Sequence, residues 1–149
     1  MVVGSGHRQE RLREQATALS SAASVHFLGE RRDTDRLLSA MDLFVLPSRT
    51  EGLGSTILDA FSLEVPVVAT RAGGIPDLVE DGRTGRLVPV GDAESLAAAI
   101  RRAFEEPVVS REMAVRARAT FLTQFTDRAM AARTLDCYRD VLDAGAGAR

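Results

Sequence analysis

Glu51, Gly52, Gly54 and Asp59 stand close together in the stretch Pro47 to Phe61, PSRTEGLGSTILDAF. The stretch follows an apolar run, Leu43 to Leu46, and opens into a helical pattern. Pro47 ends the strand that the run predicts. The two glycines let the backbone turn sharply and let a ligand come close. A helix beginning near Gly54 would offer unpaired N–H groups and a partial positive end, which suits a phosphate. Glu51 repels phosphate but accepts hydrogen bonds from sugar hydroxyls. Asp59, eight positions further on, could accept from a second set. A polyol flanking a pyrophosphate would satisfy all four residues.

Each residue also has a plainer reading. A Glu before a helix complements its dipole, glycines at a strand–helix corner form turns, and Asp59 can be a solvated surface residue. Singly, those readings are preferred; together, the four residues favour a site. A second glycine loop, Arg71 to Asp77, also follows a strand. Pro76 suits the first turn of a helix and Asp77 its positive end. Two such loops at adjacent strand ends favour a shared cleft. Asp81 to Gly85 reads as a turn, with no chemistry assigned.

The elements that must position these residues alternate. Met1–Gly4 reads as the end of a strand, and further strands are expected at Val25–Gly29, Leu43–Leu46, Pro66–Thr70 and Gly85–Val90. Helices are expected over His7–Leu19, Asp33–Met41 and Gly54–Leu63, with a short one from Ile75. Beyond Asp92, a helix cap, only helices follow: one carrying Leu96, Ala97 and Ile100 inward, then Arg111–Leu122 and Arg128–Leu142. The fold class is α/β, a Rossmann-like, doubly wound parallel sheet covered on both faces, with a helical C-terminus. Ligands in such sheets bind at the carboxyl ends of the strands.

The totals narrow the function. One domain is expected from 149 residues, of which 45% are hydrophobic. A net charge of −2 gives no reason to expect nucleic acid or an anionic membrane. All basic residues are Arg, so no lysine chemistry is available within the chain. Cys137, the single cysteine, excludes an internal disulfide framework and is expected to lie in the core, on a terminal helix. His7 and His26 make no recognisable metal site. No apolar run of membrane-spanning length and no signal peptide are visible, so the cytoplasm is expected. Gly4-Ser5-Gly6 lacks the third glycine of a dinucleotide fingerprint, and Gly54-Ser55-Thr56 lacks the phosphate-loop lysine.

The motifs, taken in order, resemble the C-terminal, donor-binding domain of the GT-B glycosyltransferases, specifically retaining family 4 (group 1). That family shows Pro-Ser, Glu-Gly-Phe-Gly and a second Glu eight positions after the first. Here stand Pro47-Ser48, Glu51-Gly52-Leu53-Gly54 and Asp59. The strand Pro66-Val67-Val68-Ala69, the loop Gly73-Gly74-Ile75-Pro76-Asp77 and the turn Asp81-Gly82-Arg83-Thr84-Gly85 also match. The resemblance covers Val2 to about Phe104 well and the final helices loosely. It implies that Glu51 is the catalytic-site carboxylate holding hydroxyls of the transferred sugar. Gly52, Leu53, Gly54 and Ser55 would meet the donor sugar and phosphate, and Asp59 the nucleotide ribose. Gly29, Glu30 and Arg31 would stand near the base. Neither metal nor cofactor is implied. The substrate would be a nucleotide-diphosphate sugar, and the anomeric configuration would be retained.

The chain departs from that pattern. Asp59 and Asp77 replace Glu. The family's domain opens with a further strand, then an Arg and a Lys that clamp the diphosphate; no such segment precedes Val2. In the order 3-2-1-4-5-6 that strand is central, and its loss leaves unpaired edges. The first strand–helix unit and the N-terminal acceptor domain are therefore expected to be missing. Residues 1–143 should form a partial nucleotide-sugar-binding domain and 144–149 a frayed tail. The isolated chain should be inactive, as a fragment, a chain with a misplaced start, or one completed by a partner. An alternative is a non-catalytic or split module that binds a nucleotide sugar or a partner. A flavodoxin-like signalling domain lacks support, because Gly4-Ser5-Gly6 offers no acidic cluster.

Overall fold

The computed structural model describes residues 1–19 and 22–146, which form two compact units. The first, Met1–Leu37, holds strand β1 (Val2–Val3), helix α1 (Gln9–Ala18), a 3-10 turn at Ala22–Ser24 and strand β2 (Phe27–Gly29). β1 and β2 pair in parallel, Val2 opposite Phe27 and Val3 opposite Gly29. The Arg13 guanidinium of α1 lies 4.9 Å from the Phe27 ring centroid, a cation–π contact. No described residue of this unit is buried. Helix α2 (Thr34–Ser39) starts in this unit and ends in the second.

The second unit, Leu38–Arg149, carries the core. Strands β3 (Phe44–Leu46), β4 (Val67–Thr70) and β5 (Arg86–Val88) form a parallel sheet in the order β3-β4-β5. Phe44 pairs with Val67, and Val68 with Arg86. β4 is central and all four of its residues are buried, as expected of a parallel strand covered on both faces. Helix α3 (Thr56–Ser62) follows β3, and α4 (Ile75–Leu78) follows β4. Ile57, Phe61, Ile75 and Leu78 from these helices meet Val67, Ala69 and Leu87 of the sheet in one apolar cluster.

Three longer helices complete the chain: α5 (Ala93–Glu105), α6 (Pro107–Gln124) and α7 (Asp127–Ala146). Asp92 caps α5, its Oδ1 accepting the Ser95 N–H at 2.9 Å and its Oδ2 the Ser95 hydroxyl at 2.6 Å. Pro107, at the first helical position of α6, starts that helix four residues before the expected boundary. Glu64 receives Arg111 at 2.9 Å and Arg118 at 3.0 Å, fastening α6 near the end of α3.

Two expectations change. Cys137 is exposed rather than core, because the described length of α7 has little packed on it beyond its start. Ala144 to Ala146, expected in a frayed tail, continue α7, while 147–149 lie outside the described residues.

The parallel strands fall into two sheets, β1-β2 and β3-β4-β5.

Candidate functional site

The loop from Pro47 to Ser55 leaves the carboxyl end of β3, where the sheet rule places ligands. Gly54 has φ +77, a left-handed conformation that L side chains rarely adopt, and it is buried. A Cβ there would stand 3.2 Å from Ile75 Cγ1 and 3.5 Å from Glu51 Cγ. Gly54 is thus required by its own backbone and by packing against α4. Gly52 differs: its φ is not positive, and a Cβ there would meet nothing within 4 Å. Its missing side chain leaves open space beside the Glu51 carboxylate.

That carboxylate is oriented by two donors. The Ser48 hydroxyl donates to Oε2 at 3.1 Å, and the Gly52 N–H to Oε1 at 3.2 Å. Ser48 is held in turn from β4. Its carbonyl accepts the Thr70 hydroxyl at 2.6 Å, with the Leu46 carbonyl a longer second acceptor at 3.4 Å.

The second glycine loop lies directly behind the first. The Gly74 N–H donates to the Gly52 carbonyl at 2.8 Å. A Cβ on Gly73 would fall 1.7 Å from the Glu51 carbonyl oxygen, and one on Gly74 2.6 Å from that of Gly52. The sequence suggested two loops sharing a cleft. The structure shows them in backbone contact, the second buttressing the first. Asp77 is exposed in the first turn of α4.

The remaining site residues are dispersed. Leu53 is 51% exposed at the tip of the loop. Ser55 is the N-cap of α3 without a side-chain cap bond, and α3 begins two residues after Gly54. Asp59 is exposed on α3, and its carboxylate has no hydrogen bond or ion pair among the described residues. Its backbone carbonyl accepts the Ser62 hydroxyl at 2.8 Å. No described hydrogen bond joins Asp59 to the Glu51 loop.

Gly29, Glu30 and Arg31 belong to the first unit. Gly29 has φ +67 and its carbonyl accepts the Gly4 N–H at 2.8 Å. Glu30 is exposed. Arg31 is engaged, donating to both Asp33 oxygens at 2.8 and 2.6 Å. That hydrogen bond holds the Asp33 carboxyl below its ordinary range.

Sequence reasoning gave Ser48 and Thr70 no role. The signal available for Ser48 was its place three residues before Glu51; for Thr70, bonded across the sheet, there was none. A cavity of about 470 Å³ lies elsewhere, between β5 and α5. Its charged lining is already committed: Asp81 accepts the Leu87 N–H, and Arg86 and Arg102 both pair with Glu106. Among the described residues no group of three or more His, Cys, Asp or Glu could hold a metal ion, and no helix is long and apolar enough to cross a membrane.

Comparisons with known proteins identify the family. The family model "Glycosyl transferases group 1" matches residues 1–106. The lipopolysaccharide core biosynthesis glycosyltransferase LpsE of Rhizobium meliloti is 35% identical over 87% of this chain and 38% of its own length. The N-acetyl-alpha-D-glucosaminyl L-malate synthase of Bacillus anthracis is 35% identical over 79% of this chain and 31% of its own. Anabaena Alr3699/HepE, solved with UDP, superposes at a TM-score of 0.85 with 30% identity, covering 93% of this chain and 40% of that one. It was also solved with UDP-glucose. The chain thus spans less than half the length of these relatives. With a match over most of its residues and a Rossmann-like α/β fold common to GT-B enzymes, the chain belongs to the group 1 glycosyltransferases.

Proposed function

We propose that the chain is the donor-binding part of a retaining glycosyltransferase. The donor is a nucleotide-diphosphate sugar, and UDP-glucose is the first to try, because a protein 30% identical was solved with it. The observation that carries the reading is the Glu51 loop. A carboxylate fixed by two donors stands beside a side-chain-free residue that faces open space, at the carboxyl end of a parallel strand.

In this reading Glu51 accepts hydrogen bonds from hydroxyls of the transferred sugar. The backbone of Gly52, Leu53 and Gly54, with Ser55 at the start of α3, meets the sugar and the distal phosphate. Asp59, uncommitted and exposed, accepts from the ribose. Asp is one methylene shorter than Glu, so a single ribose hydroxyl is the contact assigned to it. The family resemblance alone assigns Gly29, Glu30 and Arg31 of the first unit to the base. Transfer breaks the bond between the anomeric carbon and the diphosphate oxygen. It forms one from that carbon to an acceptor oxygen on the same face, and the acceptor's proton passes to the departing diphosphate oxygen. No metal or cofactor is invoked, and the cytoplasm is the compartment assigned.

Charge on the leaving diphosphate needs cations; of the residues assigned to the site only Arg31 is cationic, and it is paired with Asp33. We therefore assign the diphosphate clamp and the acceptor site to a further domain or a complementing chain, and expect this chain alone to bind without transferring. A second reading, a split or non-catalytic nucleotide-sugar module, is favoured by the division of the strands into two sheets. Saturation-transfer NMR with UDP-, GDP- and ADP-glucose tests the common part. Saturation of both ribose and hexose protons of one donor is expected. No saturation from any of them would overturn the assignment.

A further inference from the structure

We propose that Ser48 is a positioning residue for Glu51, setting the direction of the carboxylate and, through it, the preference for a sugar-bearing nucleotide. This rests on the reading that Glu51 meets the transferred sugar. A glutamate on a loop has three side-chain torsions to fix. Here one donor stands on each oxygen, Ser48 Oγ on Oε2 and the Gly52 N–H on Oε1. With both oxygens engaged, the plane of the carboxylate is defined, and each oxygen keeps acceptor capacity for a ligand hydroxyl.

The Gly52 N–H is fixed in the chain next to Glu51, and its carbonyl is held by the Gly74 N–H. Ser48 is the donor that could rotate away, and β4 prevents the loop from carrying it off. Thr70 is 3% exposed, and its hydroxyl donates to the Ser48 carbonyl at 2.6 Å. A relay therefore runs from a buried residue of the central strand, through the backbone of Ser48, to the carboxylate. Nothing in it needs Ser48 to touch the ligand.

The test uses the 149-residue chain, titrated calorimetrically with UDP-glucose and with UDP. Ser48→Ala should weaken UDP-glucose about five- to tenfold and leave UDP within about twofold. Ser48→Thr, which keeps a hydroxyl, should restore most of the difference. In a Glu51→Ala background, Ser48→Ala should have no further effect. An equal loss for both ligands, or a full loss in the Glu51→Ala background, would show a merely structural serine and overturn the proposal. Glu51→Ala that weakens neither ligand selectively would instead sink the site assignment.

A second readout needs no ligand. In amide NMR spectra Ser48→Ala should move the Gly52 resonance, whose N–H bonds the same carboxylate, and leave Gly74 nearly in place. A Gly52 resonance that stays put overturns the proposal whatever the titrations give.

Discussion

The amide of Gly74 donates to the carbonyl of Gly52 at 2.8 Å, backbone to backbone, across the ends of two neighbouring strands. A Cβ on Gly74 would reach 2.6 Å from that oxygen, closer than nonbonded atoms allow. The contact exists because both loops are glycine-rich, and it makes the second loop a support for the first. The direction of the Gly52–Leu53 peptide is therefore set by β4 as well as by β3.

Substitution of the supporting glycines should be costly. Gly73 has φ +50, and its Cβ would fall 1.7 Å from the Glu51 carbonyl oxygen. Gly73→Ala combines a left-handed backbone with a clash on main chain and should lose about 3 kcal/mol or more. Gly82 is the control: its φ is +75, but a Cβ there meets nothing within 4 Å. Gly82→Ala should lose only about 1–2 kcal/mol. Urea unfolding followed by circular dichroism measures both; equal losses would contradict the buttress.

The cap of α5 should make stability depend on pH. The Ser95 hydroxyl, then its backbone N–H, holds the Asp92 carboxyl below its ordinary value. A depressed folded-state pKa stabilises above the unfolded value, about 3.9 for Asp, and the gain fades as pH falls through the folded one. Asp92→Ala should lower Tm by a few degrees at neutral pH and flatten the acid limb of the Tm-versus-pH curve. An acid limb unchanged by Asp92→Ala would remove Asp92 as its source.

Glu106 anchors a buried cation. Arg86 in β5 is 8% exposed and meets Glu106 at 2.9 Å, and Arg102 meets the same carboxylate. The Arg102 hydrogen bond, with the charges of Arg102 and Arg86, lowers the Glu106 pKa. Glu106→Gln should therefore destabilise clearly more than Glu112→Gln, whose exposed pair with Arg116 spans 3.5 Å. Equal Tm shifts in the two variants would argue that Arg86 does not depend on Glu106.

Much of this arrangement was legible in the residues. Strand ends at Leu46 and Thr70, the α5 cap at Asp92 and the glycine corner all follow from short-range rules of turn, cap and apolar run. What escaped is long-range. The pairing of Arg86 was not visible because its partner, Glu106, lies 20 positions away in the α5–α6 link. The hold of Thr70 on Ser48 spans 22 positions. The backbone contact between the two glycine loops depends on register between β3 and β4, which no local pattern encodes. Cys137 was misplaced because a helix's apolar face tells which side can be buried, not whether anything covers it.

The central claim is that Glu51 and Asp59 grip different parts of one donor. Calorimetric titration of UDP-glucose and UDP into the chain and its Glu51→Ala and Asp59→Ala variants tests it most directly. Loss of a hydrogen bond to an ionised group, worth about 1.5–3 kcal/mol, predicts a drop of roughly ten- to a hundredfold. Glu51→Ala should show it for UDP-glucose alone, and Asp59→Ala for both ligands. Affinities in both variants indistinguishable from the parent chain would contradict the account.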